Sequence, residues 1–188
     1  PAPVRVAGRL TDAAGAGVPD RRVTVQIATS QGWRPVTTTQ SGPDGAWAAE
    51  FPATRSWDVR AIHNEVRSPR ARAVVVPALT ARVSARRVAA GRSAVVVGSV
   101  RPRKRAILVV ASRQDPRRPE RFVRSFAVRR PTAAAGRFRA PVRLRRPGLY
   151  RLSVRFSGDR RNGPAQAPDL YVRAVRSASG GMAARAGR

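Results

Sequence analysis

The sequence predicts an all-β chain made of two tandem antiparallel β-sandwich domains. An internal repeat is the first sign. Val6-Ala7-Gly8-Arg9-Leu10 returns as Val97-Gly98-Ser99-Val100, Gly45-Ala46-Trp47 as Gly136-Arg137-Phe138, and Trp57-Asp58-Val59-Arg60-Ala61 as Tyr150-Arg151-Leu152-Ser153-Val154. These landmarks recur at offsets of 90, 91 and 93 residues, so one fold unit occurs twice. A unit of that size is a whole small domain, since solenoid repeats run to about 20 to 50 residues. The second sign is apolar and polar alternation in short runs separated by Gly, Pro, Asp and Ser clusters, the signature of half-buried strands. The third is that no segment carries a helical period.

The first copy, residues 1–77, offers strands at Val4 to Leu10, Val23 to Ile27, Trp33 to Thr39, Gly45 to Phe51, Trp57 to Ile62 and Ala71 to Val76. Asp44-Gly45 reverses the chain between two of them, because glycine reaches positive φ without steric cost. Trp47, Ala49 and Phe51 share one parity, as do Trp57, Val59 and Ala61, and these are the expected core faces. The second copy, residues 78–175, offers Leu79 to Ser84, Ala94 to Arg101, Ala106 to Ser112, Arg121 to Val128, Gly136 to Leu144, Leu149 to Phe156 and Leu170 to Val175. Seven short strands at this spacing suit a sandwich of two sheets. Phe138 and Tyr150 take the places of Trp47 and Trp57, and all four are expected in the cores. Copy one has no counterpart of Leu79 to Ser84. Either its fold starts one strand later or that strand lies upstream. An edge is then open near Val4 to Leu10 or Ala71 to Val76, with Arg5, Arg9, Arg70 and Arg72 as charged guards against pairing with another chain, and a monomer is expected. Val74-Val75-Val76-Pro77-Ala78-Leu79 joins the copies with little slack, which predicts a stiff junction and an elongated pair. Residues 176–188 are Ala, Gly, Ser and Arg without periodicity and read as a disordered tail.

Composition narrows the function classes. The chain of 188 residues has no cysteine, so disulfides and thiolate metal sites are excluded. No apolar run of about 18 residues occurs, so the sequence offers no membrane-spanning helix. The chain opens Pro1-Ala2-Pro3, which reads as a mature product after loss of a signal peptide or as a piece of a longer protein. Net charge is +28, with Lys104 the only lysine. A GC-rich genome favours arginine over lysine, but one genome wrote both copies. Residues 1–77 carry ten arginines against six acids, whereas residues 78–188 carry 28 basic residues against four. The excess therefore belongs to the second copy.

Gly8-Arg9-Leu10-Thr11-Asp12-Ala13-Ala14-Gly15-Ala16-Gly17-Val18-Pro19-Asp20, followed by Arg21-Arg22-Val23-Thr24-Val25, resembles the opening of carboxypeptidase regulatory-like domains. These are prealbumin-like, Ig-like sandwiches. Asp44-Gly45-Ala46-Trp47 resembles the same family's aspartate-glycine-x-aromatic corner. The resemblance covers about residues 4 to 76. The second copy lacks the Asp-Gly turn between its first strands and resembles a bacterial Ig-like domain. The pair is similar to the tandem Ig-like regions of secreted actinobacterial surface proteins. That resemblance implies an extracellular or cell-surface, non-catalytic accessory or adhesion role, and it brings no catalytic residue with it.

An enzyme has little to stand on. His63 is the only histidine, and it sits in a turn-like His63-Asn64-Glu65 segment, so any Ser-His-Asp arrangement would depend on it alone. The carboxylates are scattered over turns and strands, with no glycosidase-like pair. Asp12, Asp20 and Asp44 read as turn caps rather than as calcium ligands. No catalytic residue, metal ligand or cofactor is assigned. The arginines are the functional signal. Arg101, Arg103, Lys104 and Arg105 crowd one strand-to-strand turn. Arg137, Arg139, Arg143 and Arg145 share the parity opposite to Phe138, Ala140, Val142 and Leu144. These eight are the candidate anion-binding residues, because guanidinium groups fork onto phosphate, sulfate and carboxylate. Arg117, Arg118, Arg121 and Arg124, and the Arg160-Arg161 pair, add further charge. The expected partner is an acidic cell-wall polymer, a glycan or an acidic protein surface. Nucleic acid is the weaker alternative, since stacking aromatics should accompany the arginines and Tyr171 is the main exposed candidate. A passive spacer between other domains is the remaining reading.

Overall fold

The computed structural model describes residues 3–176. From position 177 on, the expected tail lies outside the described residues. The described chain forms two units. Residues up to Pro77 group with Gly158–Gly163, and Ala78–Ser157 group with the residues from Pro164 onward.

The first unit is built from β1 (Pro3–Arg9), β2 (Arg22–Thr29), β3 (Gly32–Gln40), β4 (Ala46–Pro52), β5 (Trp57–His63), β6 (Val66–Arg67) and β7 (Ala71–Ala73). One sheet is β1-β4, and the other runs β3-β2-β5-β6 with β7 also on β5, all antiparallel. Alternation in β2 buries Val23, Val25 and Ile27, and the last two meet Ala49 and Phe51 of β4 and Val59 of β5 in the core. The expected strand at Ala71 to Val76 is only three residues long, and Val74 and Val76 are exposed. Asp12 and Asp44 hold their own turns. Asp12 Oδ1 accepts the N–H groups of Ala14 and Ala16, both at 2.9 Å, and Asp44 Oδ1 accepts that of Ala46 at 3.0 Å. Within this unit Asn162 Nδ2 donates to the carbonyls of Thr54 (3.1 Å) and Val75 (3.2 Å).

The second unit is built from β8 (Ala78–Val83), β9 (Arg87–Ala89), β10 (Ser93–Arg101), β11 (Ala106–Gln114), β12 (Phe122–Pro131), β13 (Arg137–Arg143), β14 (Gly148–Phe156), β15 (Ala165–Gln166) and β16 (Leu170–Val175). Its sheets run β13-β10-β8 and β12-β11-β14-β16-β9, with β15 beside β14. Pairing is antiparallel except for β9, which lies parallel to β16. The leading segment thus switches sheets: β8 joins β10, and β9 crosses to the other layer, the arrangement of Ig-like sandwiches. The all-antiparallel expectation missed β9 because three residues carry no readable alternation. The core joins Val96 and Val100 to Ile107, Val109, Phe138, Val142, Leu152, Val154 and Val172. Tyr150 makes a tyrosine corner at the start of β14. Its hydroxyl donates to the Arg146 carbonyl at 3.0 Å and accepts the Arg146 N–H at 3.3 Å.

The repeat holds down to single contacts. Gly8 of β1 pairs with Trp47 of β4, and Gly98 of β10 pairs with Phe138 of β13. Each glycine lets the aromatic ring lie over the backbone of its neighbour. At the corners, Gly45 (φ 79°) and Gly136 (φ 74°) take a conformation that side chains resist. A Cβ there would collide with the carbonyl of Leu10 or of Val100. One expectation needs correction. Phe138 and Tyr150 are buried, at 5% and 3% exposure, but Trp47 and Trp57 are only half-buried. The reason for Trp47 is structural: β8 pairs with β10 opposite Gly98, and among the described residues no strand takes that place beside β1.

Candidate anion-binding surface

The outer face of the sheet β13-β10-β8 carries the predicted row. Along β13 the residues alternate strictly. Phe138, Ala140 and Val142 are buried, while Arg137, Arg139, Pro141 and Arg143 are exposed. Arg145 is exposed just beyond the strand end. Alternate strand residues are about 6.6 to 6.8 Å apart, so the row is a ladder of charges interrupted at Pro141. Its register neighbours on β10 are Ser99 beside Arg137, Val97 beside Arg139 and Ser93 beside Arg143. Arg82 of β8 lies beside Val97 on the far side. No acid occurs in β8, β10 or β13. Among the described residues, no carboxylate is within ion-pair distance of Arg101, Arg103, Arg105, Arg137, Arg139, Arg143 or Arg145.

The turn between β10 and β11 divides its four basic residues. Arg101, Arg103 and Arg105 are exposed, but Lys104 is buried at 6% exposure, with its ammonium 5.1 Å from the centre of the Phe156 ring. The backbone carbonyl of Lys104 also accepts the Thr132 hydroxyl. Lys104 is thus a buried residue and is withdrawn from the surface set. Parity could have revealed this, since it sits between two outward-facing arginines.

A cleft that the sequence did not reveal lies where the edge strands β12 and β13 face each other across the sandwich. Its volume is about 760 Å³. Arg113, Arg130, Arg143, Arg145 and Arg146 line it, together with Val123, Phe126, Val128, Pro141 and Tyr150. Two of these arginines are held by their inner nitrogens. Arg113 Nε donates to the Pro147 carbonyl at 3.0 Å, and Arg143 Nε donates to the Gly91 carbonyl at 2.9 Å. The guanidinium planes are fixed while their Nη groups have no protein partner among the described residues. Arg130 Nε is buried with no acceptor. Asp115, the one carboxylate of the lining, accepts the backbone N–H of Arg117 at 2.9 Å. Arg143 and Arg145 belong to both row and cleft.

On the outer face of the other sheet, Phe122 and Tyr171 stack edge to face with ring centres 6.1 Å apart. The Arg151 guanidinium lies 4.8 Å from the Phe122 centre, and its Nε is 3.7 Å from Asp169 Oδ2. Phe122 therefore joins Tyr171 outside the core.

The first unit treats its charges differently. Arg70 and Arg72 both bond to Asp58, with Arg72 at 3.1 Å. The two guanidinium hydrogen bonds, Arg70 first, hold the Asp58 carboxyl below the usual aspartate value. Arg70 and Arg72 thus serve as ion-pair partners as well as edge charges. Arg5 lies opposite Glu50 in the β1–β4 register, and Arg9 Nε donates to the Asp44 carbonyl at 2.8 Å. His63 Nδ1 lies 2.8 Å from the Arg22 carbonyl, which can only accept, so Nδ1 is the donor.

No family model matches the chain, and no curated protein matches it. Among solved structures, the chain is similar to a tetra-tandem repeat in the extending region of a large adhesion protein, with 16% identity and a TM-score of 0.42, over 93% of this chain and 50% of that one. It is also similar to invasin, a bacterial integrin-binding protein, with 12% identity and a TM-score of 0.37, over 92% of this chain and 36% of that one. The chain thus spans about half the length of the first and about a third of the second.

Proposed function

We propose that this chain is a non-catalytic, extracellular or cell-surface module whose second unit holds an acidic polymer or an acidic protein surface along β13. One observation carries the reading: an exposed ladder of arginines on an edge strand, with no carboxylate beside it on its own sheet. Charges left unpaired on one face build a local potential that concentrates an anionic partner. A linear polyanion with charges every 6 to 7 Å or so matches the strand period. Each contact is worth little and is screened over about 8 to 10 Å at physiological salt, so binding is broad and salt-sensitive. The test compares two triple variants of the full chain on an anionic polymer column. R137E/R139E/R143E should elute at clearly lower salt than R21E/R34E/R67E, which makes the same change in net charge on the first unit. Equal elution of the two would leave the spacer reading in its place.

A nucleic-acid partner has one observation in its favour, the Phe122–Tyr171 pair beside Arg151, because exposed rings next to arginines can stack bases. Loss of single-stranded oligonucleotide binding in Y171A, with polymer retention unchanged, would favour it.

A further inference from the structure

We propose that the cleft between β12 and β13 is a separate site for a small amphipathic anion, a phosphate, sulfonate or carboxylate group carried on an apolar body. This rests on the reading of the second unit as an anion holder and adds to it a second kind of ligand.

Three features lead there. The volume, about 760 Å³, lies inside the range of about 300 to 1,000 Å³ of small-molecule sites. The rim is pre-set for an anion. Arg113 and Arg143 are anchored through Nε, so binding need not freeze two loose side chains. Arg130 also lines the cleft, and its positive charge adds to the attraction of the rim for an anion. Beside the polar Gln114, Asp115 and Ser125, the lining carries an apolar patch of Val123, Phe126, Val128 and Pro141. Val123 is 47% exposed, a large apolar side chain left in water. A bare inorganic anion would satisfy the rim and leave this surface wet. A hydrophilic polymer along β13 would do the same. Only a ligand with both a charge and an apolar body covers what the cleft presents.

The test is calorimetric titration of the full chain with octyl phosphate below its micelle concentration, beside inorganic phosphate. The expected result is one saturable site for octyl phosphate, with inorganic phosphate weaker by roughly a hundredfold or more, since each buried methylene adds to affinity. V123D changes an exposed side chain and should weaken octyl phosphate about tenfold. R130Q should weaken it comparably, with circular dichroism unchanged for both. R137E/R139E should leave it within about twofold, since those residues lie outside the cleft and act only through screened distance. Sedimentation with anionic phosphatidylglycerol vesicles, lost in R130Q, would assign the ligand to a membrane source. Binding of monomeric octyl phosphate without sedimentation would assign it to a free acid. Equal affinity for inorganic and octyl phosphate, or no effect of V123D and R130Q, would overturn the proposal. Polymer retention would be untouched by that failure, so the two readings stand or fall separately.

Discussion

Gly8 under Trp47 and Gly98 under Phe138 are the same device in two states of completion. In the second unit β8 closes over the pair, with Ala81 in register with Gly98 and Leu79 buried in the core. Phe138 is buried as a result. In the first unit no strand lies on that side of β1 among the described residues, and Trp47 stays half-buried. A glycine-aromatic pair thus sets the close approach of two strands, but a third strand is needed to remove the ring from water. The same contrast extends to charge. The first unit pairs Arg70 and Arg72 with Asp58, sets Arg5 opposite Glu50 and ties Arg9 to a backbone carbonyl, whereas the second leaves the β13 row without acids.

The strongest way to break the comparison is to fill both glycines. In G98V the new side chain would collide with the Thr80 carbonyl and the Phe138 ring, both locked in place, and come within 3.0 Å of the Ala81 Cα. A loss of at least about 3 kcal/mol is expected. In G8V the nearest contacts are with the Trp47 ring, 2.7 Å from its Cζ2, and a half-exposed ring can turn aside. A loss under about 1 kcal/mol is expected there. Denaturant unfolding reads both. Trp33, Trp47 and Trp57 all belong to the first unit, so tryptophan fluorescence follows that unit while far-ultraviolet circular dichroism follows the whole chain. Equal losses in the two variants would show that the third strand is not what locks the pair.

Next in size is the corner. Y150F removes a hydroxyl that bonds both polar groups of Arg146 and should cost the second unit about 1 to 2 kcal/mol. W57F, at the equivalent place in the first unit, should cost less, because Trp57 is half-buried and is covered by the Arg55 guanidinium, 3.7 Å from its centre. A larger loss in W57F would reverse the ranking of the two corners.

The smallest effect concerns acid. The folded Asp58 carboxyl is held below its unfolded value by Arg70 and Arg72. The stabilisation is therefore fully present above the unfolded value, near about 3.9, and is lost as pH falls through the folded one. Fluorescence-monitored stability of the first unit should decline on the acid side of about pH 4, and D58N should flatten that decline. A decline of the same slope in D58N would place its origin elsewhere.

Much of the fold was legible in the residues. Parity in β13 and β14 separated Phe138, Val142 and Leu152 from the arginines, because strand period needs no tertiary information. Lys104 was misplaced because a run of charges in a turn looks uniformly exposed, and its ring partner Phe156 is 52 residues away. The cleft could not be read at all. It assembles residues 113–116, 123–130 and 141–150 from two edge strands and their loops, and no local pattern records which edges face each other. The Phe122–Tyr171 pair is of the same kind, since it spans β12 and β16 across two intervening strands.

The Nε anchors of Arg113 and Arg143 separate ancestry from use. A genome that writes arginine by nucleotide bias alone is indifferent to whether a position holds one cationic side chain or the other. A lysine ammonium keeps the positive charge but cannot grip a carbonyl with one nitrogen and present two more in a fixed plane. Positions where the inner nitrogen is engaged are therefore marked by shape, whereas those held only by charge are interchangeable. The β13 ladder residues Arg137 and Arg139 fall in the interchangeable class, and Arg113 and Arg143 do not. Within one arginine-rich surface, stereochemistry sorts the residues that composition makes look alike.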